Sequence, residues 1–167
     1  MNTIKYFKTC LILLYYLLGI ALIGGLVHII LVLFRVDKSL PILGTKLSLF
    51  SAGLTEVLII TFLNVLLIFF LFRAVRFLKS TFYDLSEQNY FGESVIKNFK
   101  YAGNSFFLTA ALEIVIKILN PILLDTKFKF GLNMSVMIFV LIGLFLKFLG
   151  EVFAKGKRLE EENDLTI

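Results

Sequence analysis

The chain has 167 residues but one cysteine and one histidine, and Asp, Glu, Lys and Arg together make up only 17% of it. Each scarcity excludes something. A single thiol, Cys10, allows no intrachain disulfide. It opens an apolar run rather than following one, so it is not a lipoprotein cysteine. One histidine and one cysteine at different expected depths match no metal-ligand spacing. There is no phosphate-cradling glycine loop, no nucleophile elbow and no paired-histidine zinc motif. The sequence therefore indicates no catalytic, metal-binding or cofactor-binding residue, and the chain reads as a non-enzyme. Internal repeats and low-complexity tracts are also missing.

What is abundant is apolar. Hydrophobic residues make up 59% of the chain and the mean hydropathy is +0.92, whereas soluble domains are about half apolar and about a quarter charged. The excess falls in long runs, the signature of membrane spans. The length suits one domain. The net charge of +5 and pI of about 9.3 fit the Lys/Arg excess of cytoplasmic loops. No groove-reading motif supports direct nucleic-acid binding.

Four spans are expected, at about 9–34, 52–72, 101–123 and 130–150, giving an all-α, four-helix transmembrane bundle. Residues 9–34 carry no Asp, Glu, Lys or Arg. Lys5 and Lys8 precede them, but the run exceeds the ~7–15 residues of a signal-peptide core and reads as a retained first span. Pro121 and Asp125-Thr126-Lys127 mark a short link between the last two spans. Ten of the 17 Lys and Arg residues fall in the N-terminus, the 73–100 segment and the C-terminus, and five on the opposite side. The positive-inside rule then predicts both termini in the cytoplasm.

Between spans 2 and 3, Val75, Leu78, Phe82 and Leu85 recur at helical spacing beside a basic stripe of Arg73, Arg76 and Lys79. This predicts a cytoplasmic amphipathic hairpin. Span 2 continues as a helix near anionic headgroups. Residues 86–92 turn on Asn89 and Gly92, and a second short helix runs from about Glu93 into span 3. The outer loop 35–51, with Pro41 and Gly44, is too short for a domain. Its 46–51 stretch alternates polar and apolar residues and fits either a short strand or an interfacial segment. Ala21 with Gly25, and Gly150 with Ala154, stand four apart and allow close helix approach.

Ionisable residues inside a bilayer need a partner or a purpose. Glu113 and Lys117 are spaced i, i+4 in the favourable order for a helical ion pair. From the 1.5 Å rise, His28, Glu56 and Lys117 fall in one layer of the outer half, with Glu113 just below. This candidate polar cluster reads in two ways: a mutually satisfied set that fixes helix register, or an outward-open proton or ligand site. Lys147, near the inner end of span 4, is expected to snorkel to the cytoplasmic surface, and Asn64 to hydrogen-bond between helices. The tail 155–167 is short and acidic, with Glu160 to Glu162 reading as a solvated charge run. Its last seven residues, Glu161, Glu162, Asn163, Asp164, Leu165, Thr166 and Ile167, form with Arg73, Arg76 and Lys79 a candidate cytoplasmic docking face.

Two segments carry a family resemblance. One is Asp84-Leu85-Ser86-Glu87-Gln88-Asn89-Tyr90-Phe91, followed by Asn98-Phe99-Lys100-Tyr101-Ala102-Gly103. The other is the end from Phe153 to Ile167, closing on Glu162-Asn163-Asp164-Leu165-Thr166-Ile167. The chain resembles a bacterial family of small four-span membrane proteins, number 2975 among domains of unknown function. It departs from that pattern at Tyr90, where proline is usual, and at Gln88, where glycine is usual. The resemblance implies no catalytic residue. It does imply a neighbour, because such proteins are often encoded beside a small helix-turn-helix regulator. The expected function is thus a non-enzymatic regulatory or interaction protein with the lipid bilayer and a small cytosolic DNA-binding regulator as partners. The alternative is a small transporter or channel component that uses the polar layer and assembles as a homo-oligomer.

Overall fold

The computed structural model describes residues 2–34, 53–123 and 134–164. Four helices account for nearly all of them: α1 (Asn2–Leu33), α2 (Leu54–Ser86), α3 (Glu93–Leu123) and α4 (Met134–Asp164). All four are long and apolar enough to cross a membrane, which fits a multi-pass membrane protein. The outer loop 35–51, the Asp125-Thr126-Lys127 link and the terminal Leu165-Thr166-Ile167 lie outside the described residues.

The helices are longer than the expected spans. At ~1.5 Å per residue, 31 to 33 residues extend for nearly 50 Å, against a hydrocarbon core of about 30 Å. The surplus lies at one end. Lys8 Nζ donates to Ser86 Oγ at 3.1 Å, and Lys157 pairs with Glu93 at 3.3 Å. The start of α1, the turn between α2 and α3, and the end of α4 therefore share that end. Each helix packs against the next in chain order: α1 on α2, α2 on α3, α3 on α4.

The main apolar core lies in the half nearer the turn. Leu11 of α1, Ala74, Val75, Leu78 and Leu85 of α2, Phe99, Ala102 and Phe106 of α3, and Leu146 of α4 form one buried cluster. This changes the reading of the stripe Val75, Leu78, Phe82 and Leu85. Its residues pack against the neighbouring helices. Because α1 and α3 are extended too, they run alongside α2 and bury it, Phe82 packing on the cluster's edge. Buried hydroxyls are satisfied within their own helices: Thr81 donates to the Phe77 carbonyl (3.0 Å), Ser105 to Tyr101 (2.9 Å) and Thr109 to Ser105 (3.0 Å). That bonding suits an environment without water, where an unpaired polar group costs several kcal/mol.

Glycine sets the closest approaches. A Cβ on Gly103 would stand 2.8 Å from the Gly143 carbonyl oxygen, and one on Gly143 would stand 3.1 Å from that of Gly103. Backbone thus meets backbone between α3 and α4. Gly25, against Val65, and Gly150, against Lys100 and Phe99, also sit at interfaces.

The turn ends α2 with a Schellman arrangement. Asn89 N–H reaches the Asp84 carbonyl (3.1 Å) and Gln88 N–H the Leu85 carbonyl (3.3 Å). Gln88 takes the left-handed conformation this requires, φ 66°. It is the position where the resembled family usually has glycine. Ser94 Oγ then donates to Asp84 Oδ2 at 2.7 Å, tying the start of α3 to the end of α2.

Candidate functional site

Polar groups gather in two places. The first is between α3 and α4, in a partly buried position near the start of α4. Lys117 Nζ donates to Glu113 Oε1 at 2.7 Å, the expected i, i+4 pair. Ser135, in the first turn of α4, donates to the same oxygen. The other carboxylate oxygen, Oε2, is buried and has no hydrogen-bond partner among the described residues, as is the case for Asn120 Oδ1 seven residues along the same helix. Pro121 lies inside α3 and, lacking an N–H, leaves the Lys117 carbonyl without its helical donor. Ser135 was not foreseen, since its meeting with Glu113 depends on how α4 registers against α3.

The predicted layer is only partly assembled. Gly25 meets Val65 and Gly19 meets Phe72, so His28 stands opposite Thr61 and Phe62 on α2. The approach of Phe77 to Tyr101 brings Lys117 to the same level on α3. His28 is buried, at 8% exposure, and its Nδ1 has no hydrogen-bond partner among the described residues. Glu56 is elsewhere. Its carboxylate accepts from Gly53 N–H at 2.8 Å and caps the start of α2, about 8 Å along the axis from that level. A glutamate three residues into a helix satisfies a free N–H at its own terminus, so it has a local role. Asn64 likewise donates within its own helix, to the Ile60 carbonyl at 2.8 Å, rather than between helices. Lys147 does not turn toward the end bearing the 87–92 turn. Helical side chains lean toward their N-terminus, and its ammonium lies over the Phe107 ring, 5.5 Å from the centroid.

The second place is the end shared by the turn and α4. The acidic segment expected as a tail is instead the continuation of α4 through Asp164. Gly156 forms a notch that the Phe91 ring fills so closely that a Cβ there would collide with it. Phe91 also approaches Phe153 (6.3 Å between centroids), and Phe153 stacks on Phe99 at 5.4 Å. Lys157 bridges Glu93 (3.3 Å) and Glu161 (3.6 Å). Lys97 first, then Lys157, holds the Glu93 carboxyl below the usual range by hydrogen bonding. Glu93 precedes the apolar 101–123 stretch and is exposed. Such exposed pairs add little to stability, so the aromatic contact is the stronger part of the clasp.

Among the described residues the two halves of the predicted docking face are not brought together. Arg73 lies over Phe77 (5.6 Å), and Lys79 over Tyr15 (4.3 Å) and Tyr16 (5.7 Å) on α1. Glu161 turns to Lys157 of its own helix. Arg76 is exposed on α2. What meets instead are the two segments that carry the family resemblance, the turn and the end of α4.

Among the described residues no three His, Cys, Asp or Glu side chains gather to hold a metal. Compared with family models, curated proteins and solved structures, the chain finds no match.

Proposed function

We propose that the chain is a non-enzymatic interaction protein of the bacterial cytoplasmic membrane. Both termini lie in the cytoplasm, and its cytosolic partner is a small helix-turn-helix regulator. The observation that carries this reading is the clasp of Phe91 on Phe153 and Gly156. It joins the turn and the end of α4 into one polar surface beyond the apolar part of the helices. The surface presents Glu87, Lys155, Arg158 and Glu160, all exposed. The identity of the partner rests on the family resemblance.

The test is a crosslinking pulldown of tagged full-length protein from native membranes, read by mass spectrometry. Recovery of a small DNA-binding protein from the wild type, and its loss with Phe91→Ala or on deleting residues 160–167, supports the reading. Recovery of the chain with itself alone refutes it.

A second reading has one observation in its favour. The unpartnered Glu113 Oε2 suits a small transporter or channel component in which that carboxylate takes up a proton or a polar ligand. A flux assay comparing wild type with Glu113→Gln separates the two, since an interaction protein carries no flux to lose.

A further inference from the structure

Among the described helices, α4 packs on α3 alone. It turns Gly143, Leu146, Gly150 and Phe153 toward that neighbour. Its far side carries a second pattern. Ile138, Leu141, Phe145, Phe148, Val152 and Leu159 are 45% to 66% exposed. Their spacing alternates three and four residues, with Lys155 at the one step between Val152 and Leu159. That alternation is the heptad period of a coiled-coil seam, kept here over three heptads.

Lipid covers the exposed residues that lie within the bilayer, but not Leu159. Gly156 meets Phe91 of the turn, and Lys157 pairs with Glu93 at 3.3 Å, so Leu159 lies past the turn. Lys157, Arg158, Glu160 and Glu161 flank it in sequence. From the helical rise it stands about 14 Å beyond Gly150, where the apolar run of α4 ends. It nevertheless keeps the register of the apolar residues before it. One helix laid along the seam would cover all six.

The helix that fits is α4 of a second copy. Two copies inserted the same way round present their α4 helices in parallel. A heptad seam is self-complementary in that arrangement, each residue meeting its own counterpart across a two-fold axis. At their observed exposure the six side chains come close to the ~800 Å² per partner that a stable dimer buries. Lys155 is the one charged position within the seam. Glu151 precedes it by four residues, the favourable order for offsetting that charge.

We propose that the protein is a parallel homodimer joined along this face of α4, from Ile138 to Leu159. The seam runs through the membrane and continues past it, so the dimer also holds two copies of the clasped turn side by side.

The test uses single cysteines in the full-length protein, in a Cys10→Ala background, oxidised in native membranes. Val152→Cys and Leu159→Cys are expected to form disulfide-linked dimers. Equivalent seam positions across a two-fold axis fall within the ~7 Å Cα separation that a disulfide tolerates. Glu161→Cys is expected to link far less, because two residues further on it stands on the opposite side of α4, where Glu161 pairs with Lys157. All three positions are exposed, so the substitutions leave the packing on α3 intact. Linking at Val152→Cys and Leu159→Cys no greater than at Glu161→Cys overturns the proposal. The readout involves this chain alone, so its outcome is independent of any cytosolic regulator.

Discussion

At the scale of single residues, the Glu113–Lys117 pair and Gln88 show how differently one misplaced group acts in two environments. Glu113 and Lys117 sit in the apolar part of α3, with side chains 15% and 36% exposed. Removing one partner of a buried pair costs about 3–5 kcal/mol, because a charge is left behind; the exposure of Lys117 brings the expected loss down to about 1–3 kcal/mol. Glu113→Gln and Lys117→Met should each lower the level of folded protein in membranes. The double variant should recover most of it, because both charges leave together. A double variant as depleted as the two losses combined would show that the charges do not act as a pair. Gln88 is the opposite case, an exposed residue held at φ 66°. The left-handed conformation costs an ordinary residue about 1–2 kcal/mol, partly offset for glycine by its freedom in the unfolded chain. Gln88→Gly should therefore stabilise the fold by about 1 kcal/mol, visible as a higher unfolding temperature in detergent.

At the scale of elements, glycine decides where helices touch. Gly103 faces the Gly143 carbonyl, whereas Gly24 has nothing within 4 Å of a built Cβ. An added methyl at Gly103 meets backbone, which cannot rotate away, so α3 and α4 must separate. Gly103→Ala should cost about 1–3 kcal/mol, as overpacking does. Gly24→Ala should gain about 0.5–1 kcal/mol from helix propensity alone. Thermal unfolding of the two variants side by side checks the contrast, and equal shifts would remove the close approach from the account. The same seam shows what was legible beforehand. Gly25 and Gly150 were visible as small residues at helical spacing, and both lie at interfaces. Gly103 and Gly143 were not, because neither has a small partner one turn away and their meeting is set by register between helices. The turn was legible from Asn89 and Gly92, local breakers acting locally. The continuation of α4 was not, because the contact of Phe91 with Gly156 depends on how the turn registers against α4. For the candidate cluster, the i, i+4 spacing located the Glu113–Lys117 pair. Depth counting misplaced Glu56, because the chain has a nearer use for that carboxylate at the start of α2.

At the scale of the whole molecule, packing in chain order makes the two ends chemically unlike. Lys8 against Ser86, and Lys157 against Glu93, gather the start of α1, the turn and the end of α4 at one end. That end also holds Arg73, Arg76, Lys79, Lys97, Lys100, Lys155 and Arg158. Cationic ends remain on the cytoplasmic side, where the anionic leaflet adds attraction for each cation. The fold and the charge therefore make separate demands. The fold requires the turn and the end of α4 to face the same compartment, and our proposal, which rests on the charge, makes that compartment the cytoplasm. Single cysteines test both in a Cys10→Ala background, at Tyr90 in the turn, Glu160 on α4 and Thr55 at the far end of α2, all exposed. In intact cells, a membrane-impermeant thiol reagent should label Thr55→Cys and spare Tyr90→Cys and Glu160→Cys until the membrane is opened. Labelling of Tyr90→Cys and Glu160→Cys from opposite sides would contradict the fold itself. Labelling of both from outside would leave the fold intact but invert the molecule, and the turn and the end of α4 would then face away from any cytosolic regulator.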